Sequence, residues 1–266
     1  GYSQALMLID RTITVNHNAD GTKSFGLMAS FTGGGGWSPN TLTIGGNSFT
    51  LTPIARSSSI SIGNAVIGQP VTITINRQNP NFKHTIRYWW GDKKGVVATD
   101  VDTSAVWNVP NDLAEDVPNT SVGQGTVFVD THSNGKLMGT QSVTFMATVP
   151  DTMKPTLSRV TLSDASTIAQ SLIPNPDTLI SNIKVAFDGA SGSYGSTITG
   201  YRAEIVGKNQ ATNINGGTLG IMNYSGSITV RASVVDSRGR WSDSKDIQVK
   251  VLEYFAPALS FSIART

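Results

Sequence analysis

Apolar and polar residues trade places one by one along this chain. The pattern runs through Thr12-Ile13-Thr14-Val15-Asn16, then Phe25, Leu27, Ala29 and Phe31, and returns in Val71, Ile73 and Ile75, in Ile183, Val185 and Phe187, and in Ile247, Val249 and Val251. A period of two places alternate side chains on opposite faces of a strand, so each run reads as a strand with one buried and one wet side. Turn formers divide the runs: Asn18-Ala19-Asp20-Gly21, Gly33 to Gly36, Gly45-Gly46-Asn47 and Gly91-Asp92. Short strands at this spacing predict an all-β chain of tandem β-sandwich modules. Helix is confined to one turn at Asp112-Leu113-Ala114-Glu115 in the loop from Pro110 to Asn119.

A chain of 266 residues exceeds what one core usually serves, so several cores are expected. Residues 1–58 hold too few strands for a closed sandwich and read as the C-terminal part of a module, a partial sandwich or jelly roll, whose beginning lies before Gly1. Residues 59–152 have the content of an immunoglobulin-like sandwich of roughly 100 residues. Residues 153–253 repeat the theme as an immunoglobulin- or fibronectin-like sandwich. Residues 254–266 read as a linker or the start of a further module, because Tyr254 to Leu259 resembles Lys154-Pro155-Thr156-Leu157.

The repeat is clearest at two turns. Setting Thr131-His132-Ser133-Asn134-Gly135-Lys136 against Val235-Asp236-Ser237-Arg238-Gly239-Arg240 aligns Gly135 with Gly239, and the alignment continues without a gap. Val143, Phe145 and Ala147 then fall opposite Ile247, Val249 and Val251. Glycine at both turns implies a positive φ, which costs other residues about 1 kcal/mol or more.

Composition narrows the function. Charged residues make up 14% of the chain, the net charge is +2, and no run of like charge forms the basic stripe that a phosphate backbone needs, so nucleic acid is an unsuited partner. Apolar stretches such as Ala5 to Ile9 are far shorter than the roughly 20 residues of a membrane-spanning helix, which predicts a soluble protein with no membrane insertion. Without cysteine there are no disulfides, zinc-thiolate sites or thiol nucleophiles.

Three segments together resemble a family of minor structural proteins from the tails of siphophages infecting streptococci and related lactic acid bacteria: Val15 to Ser24, Thr148-Val149-Pro150 leading to Lys154-Pro155-Thr156, and Val235 to Ser242. The likeness spans almost the whole chain. It implies a non-enzymatic virion protein of the tail tip, fibre or baseplate, assembled in the host bacterial cytoplasm. Its partners would be other phage tail proteins, further copies of itself in the virion, and host cell-wall polysaccharide. The rival reading is a carbohydrate-binding adhesin module of a cell-surface protein. Ile198-Thr199-Gly200-Tyr201, Val230 to Val234, Gly239 and Ser242 to Val251 also look like strands C, F and G of a fibronectin type III sandwich, although the tryptophan expected early in that fold is missing.

Chemistry-bearing residues are sparse. His17, His84 and His132 lie far apart and read as turn or surface histidines, with no metal-ligand spacing. Asn16, Asn18 and Asp20 alternate before Gly21 as in a calcium loop, but the closing bidentate glutamate is missing, so a plain Asx-rich turn is expected. Glu115 with Asp116, and Asp243 with Asp246, are carboxylate pairs with no reason to converge as glycosidase acids. No catalytic residue, metal or cofactor is expected. The strand Thr85 to Trp90 is the best binding candidate: Tyr88 and Trp90 point to one face and Trp89 to the other. Trp37, Tyr88 and Trp90 are the candidate glycan-binding residues, because indole and phenol rings pack on the C–H faces of sugars.

Overall fold

The computed structural model describes residues 55–166 and 181–253, and outside them strands 15–17, 23–25, 41–44, 47–50 and 178–179 with residues 19 and 171. Among the described residues twenty strands of 2 to 13 residues follow one another, with one 3-10 turn at Asn111–Asp116. Strands β1 (Val15–His17) and β2 (Lys23–Phe25) form one antiparallel pair, and β3 (Thr41–Ile44) and β4 (Asn47–Thr50) another. Most of residues 1–54, including Trp37, lies outside the described residues.

From Ser59 the chain builds one pattern twice. The strands are β5 (Ser59–Ile62), β6 (Ala65–Val66), β7 (Pro70–Asn76), β8 (Lys83–Trp90), β9 (Lys93–Val101), β10 (Ser104–Asn108), β11 (Val122–Ser133) and β12 (Lys136–Thr148). They make a three-stranded sheet β10-β7-β5 and a five-stranded sheet β6-β12-β11-β8-β9. Then come β13 (Thr156–Asp164), β14 (Thr178–Leu179), β15 (Asn182–Ser191), β16 (Ile198–Ile205), β17 (Ala211–Thr212), β18 (Thr218–Ile221), β19 (Gly226–Asp236) and β20 (Lys245–Val251). Their sheets run β13-β15-β18 and β14-β20-β19-β16-β17, the same order strand for strand. In both copies the short second strand pairs in parallel with the last one, β6 with Ala147–Thr148 and β14 with Lys250–Val251. This order is that of immunoglobulin-like sandwiches.

Contacts gather the chain into two compact units, residues 1–64, 70–108 and 124–145 in one, and residues 65–69, 109–123 and 146–266 in the other. The first unit buries Ile60, Ile73, Ile75, Ile86, Val127 and Val129, together with Trp90, Trp107 and Phe145. In the second, Leu157, Ile183, Val185, Phe187, Val230, Ala232, Val234, Val249 and Val251 share one apolar core. Each set falls on alternate positions, so the sandwich interior is the direct outcome of the period-two pattern.

The repeat register holds on one side of the turn only. Phe145 and Ala147 are buried like Val249 and Val251, whereas buried Val127 and Val129 fall opposite Arg231 and Ser233, of which Arg231 is exposed. The buried residues there are Val230 and Ala232, one position earlier. The turns differ: Asn134 and Gly135, with φ of 49° and 78°, make a tight two-residue hairpin, while Gly239 (φ 79°) sits in a longer loop closed by bonds between Asp236 and Arg240.

Three histidine expectations are corrected. His17 lies in β1 and His132 in β11 rather than in turns. His84, at 1% exposure, is a core residue of β8, its Nδ1 bonded to the Val101 carbonyl (2.9 Å) and its Nε2 to the Ser58 hydroxyl (2.7 Å). A ring with both nitrogens satisfied can be buried without penalty for its polar atoms.

Candidate functional site

The aromatic strand β8 divides its rings between two faces. Trp90 is 2% exposed and packs on Phe145 with centroids 5.8 Å apart, while Trp107 meets Phe145 edge-on at 5.5 Å and Tyr88 at 4.9 Å. These four rings fill the sandwich. Trp90 therefore offers no ring face to a sugar, and the half-buried Tyr88 presses its own ring against Trp107, so both glycan-binding candidates serve the core. Trp37 lies outside the described residues. The ring that β8 turns outward is Trp89, 52% exposed and in edge contact with Phe128 at 5.0 Å. The alternation separated Trp89 from its neighbours but did not say which face was wet.

A second construction lies within the compact unit formed by residues 65–69, 109–123 and 146–266. Its centre is Arg238, in the loop after β19, buried to 8% exposure. The guanidinium donates from Nε to the Val117 carbonyl (3.0 Å), from Nη1 to that of Ser193 (2.6 Å), and from Nη2 to those of Ala114 (2.7 Å) and Tyr194 (2.6 Å). Two of these carbonyls belong to the 3-10 turn and its cap, and two to the loop before β16. Five fixed N–H groups suit a guanidinium to this task better than an ammonium. Burial lowers the Arg238 pKa, and the nearby Asp236 opposes that shift.

Neighbouring groups hold the loop itself. Asp236, 1% exposed, accepts from the backbone N–H groups of Arg238 and Arg240 through Oδ1 and from the Ser196 hydroxyl through Oδ2. Arg240 donates to the carbonyls of Pro150 and Val149, and Ser237 to that of Pro118. Lys154 pairs with Asp243 at 2.8 Å. The cluster is a clamp of side chains on backbone carbonyls. Sequence reasoning singled out the turn for its glycine and passed over the arginines, whose partners are carbonyls that no residue type announces.

The two carboxylate pairs weighed as acids lie on separate elements. Glu115 and Asp116 sit on the 3-10 turn, and Asp246 is taken by Arg231 in a bidentate ion pair with both distances 2.9 Å, which holds its carboxyl below the usual range. Among the described residues no group of three or more His, Asp or Glu is placed to hold a metal ion.

Among solved structures the chain is similar to the fibronectin(III)-like modules of Clostridium thermocellum CbhA, at 13% identity and a TM-score of 0.30, covering 73% of this chain and 95% of that one. Murine CEACAM1b matches at 10% identity and a TM-score of 0.30, covering 74% and 100%. The protocadherin gammaB7 EC3-6 cis-dimer structure matches at 10% and 0.32, with this chain spanning 51% of that one and 75% of its own length. No curated protein matches the sequence. One family model, described as a siphovirus protein of unknown function (DUF859), matches residues 1–266.

Proposed function

Because the chain belongs to that siphovirus family over its whole length, we propose that it is a non-enzymatic structural component of the phage tail, at the tip, fibre or baseplate, that positions or contributes to binding of a host-surface receptor. The hosts suggested by the sequence resemblance are streptococci and related lactic acid bacteria. Other tail proteins and further copies of this chain would be its neighbours in the virion.

The observation that carries this reading is the clamp around Arg238. One buried side chain ties a loop from each of two stretches, 114–117 and 193–194, to the loop after β19. A charge removed from water costs several kcal/mol and is sustained only where its partners are all in place. Such a device fixes backbone geometry and supplies no reactive group, which suits a part that must hold its neighbours at set positions. Family membership also favours the viral setting over a module of a cellular surface protein.

Quantitative mass spectrometry of gradient-purified virions tests the proposal. The chain should co-purify with the tail proteins at a fixed ratio to them through successive purification steps. Recovery only in the soluble lysate, with none in virions, would contradict it.

A further inference from the structure

The outer face of the five-stranded sheet β6-β12-β11-β8-β9 carries an arrangement that neither the sandwich core nor the Arg238 clamp requires. Inward positions of β8 are filled by His84, Ile86 and Trp90, so Arg87 and Trp89 point out. Strand register places Phe128 and Val96 on either side of Arg87, and Thr126 and Lys94 on either side of Trp89. The Trp89 indole meets the Phe128 ring edge-on, at 5.0 Å and 61°, which fixes its orientation while leaving 52% of the residue in water. Arg87 lies over the same Phe128 ring, 4.9 Å from its centroid, and makes a bidentate pair with Asp130 at 2.7 and 3.0 Å. The Thr140 hydroxyl donates to Asp130 at 2.6 Å.

We infer that this face is a binding site for one ring of a hydroxyl-rich saccharide, stacked on Trp89. A sugar ring presents apolar C–H groups on its face and hydroxyls around its edge. Trp89 supplies a rigid aromatic plane for the first. For the second, the rim holds the remaining N–H groups of the Arg87 fork, the Lys94 ammonium and the Thr126 hydroxyl. Binding loses least freedom where the receptor is already in place, and here an aromatic contact and a bidentate ion pair hold the groups before any ligand arrives.

One observation favours a saccharide over a protein partner: the donors of Arg87, Lys94 and Thr126 stand in register around Trp89 and Phe128, and Thr140 adds a hydroxyl on Asp130, while Val96 is the further exposed apolar side chain beside Arg87. The matching face of the second copy lacks the platform. There Arg231 pairs with Asp246 and Arg202 with Glu204, both exposed pairs, where the first copy has its rings. The aromatic face is thus a feature of one module and not a requirement of the fold.

This inference rests on the tail reading for its biological setting, and its test is separable from that reading. The full chain, tetramerised through a biotin tag on streptavidin so that weak sites add, is titrated with wall polysaccharide purified from the bacterium on which the phage is grown, and with cellohexaose and chitohexaose. Intrinsic tryptophan fluorescence and saturation-transfer NMR report binding. The wild type should bind at least one probe, Trp89→Ala should weaken it about tenfold, the scale of one aromatic stacking contact, and Trp89→Phe should fall between, all with unchanged circular dichroism. Absence of wild-type binding to every probe, or equal binding by Trp89→Ala, would overturn the site while leaving tail localisation untouched. Loss of virion incorporation by Trp89→Ala without loss of saccharide binding would instead make the face an assembly contact, which also overturns it. Saccharide binding by a chain absent from virions would keep the site and remove the tail setting.

Discussion

Replacing Arg238 by alanine removes one charged side chain and takes a donor from four backbone carbonyls, of which those of Ala114 and Ser193 keep another from the Val117 and Ser196 N–H groups. Hydrogen bonds from a charged donor contribute about 1.5–3 kcal/mol each, so four of them amount to roughly 6–12 kcal/mol gross. Against this stands the several kcal/mol needed to take a guanidinium out of water. The surplus is about 3–5 kcal/mol, which for a unit of this size lowers the melting midpoint by about 6–20 °C. Arg238→Met separates lost packing from lost hydrogen bonds. Methionine keeps much of the volume but, like alanine, donates nothing to the carbonyls, so the clamp account expects it to be nearly as damaging as alanine. Arg238→Lys should be intermediate, since an ammonium keeps the charge but cannot spread five N–H groups over four acceptors. Differential scanning calorimetry of the three variants decides the matter. If Arg238→Met melts with the wild type, the carbonyl bonds contribute nothing net, and the clamp is not what holds these loops.

Two further outcomes are expected. Trp90→Ala should destabilise the protein by about 3–5 kcal/mol in urea titrations, because it opens a cavity beside Phe145, and an undiminished midpoint would remove Trp90 from the core. The Arg87 hydrogen bond holds the Asp130 carboxyl below its ordinary value of 3.8. A depressed carboxylate stabilises above its unfolded pKa and loses that contribution as pH falls through its folded pKa. Wild type and Asp130→Asn should therefore differ most in melting temperature at neutral pH and converge below about pH 4, and a gap independent of pH would show that the ion pair is not the cause.

Much of this fold is written in local pattern. The inward residues of β15 and β20, Ile183, Val185, Val249 and Val251, follow from alternation alone, because a half-buried strand has only two faces to offer. The positive φ of Gly135 and Gly239 was also foreseeable from residue type. Three features were not. The one-residue slip in burial between β11 and β19 is not visible in the similar turn sequences that follow them. The buried position of Trp90 and the exposed position of Trp89 depend on which face the three-stranded sheet covers, a non-local fact. The clamp was least visible, since Arg238 looks like any polar turn residue until carbonyls from positions 114 and 117 are brought to it. His84 was misread for the same reason: its partners, Ser58 and Val101, come from other segments.

The central claim, that this chain is a structural part of the tail, is tested most directly by negative-stain microscopy of intact virions labelled with an antibody raised against residues 153–253. The account predicts label on the tail, at its tip, fibre or baseplate, in most particles and none on the capsid. Label confined to the capsid, or particles that never carry it while the soluble protein is readily recognised, would contradict the claim.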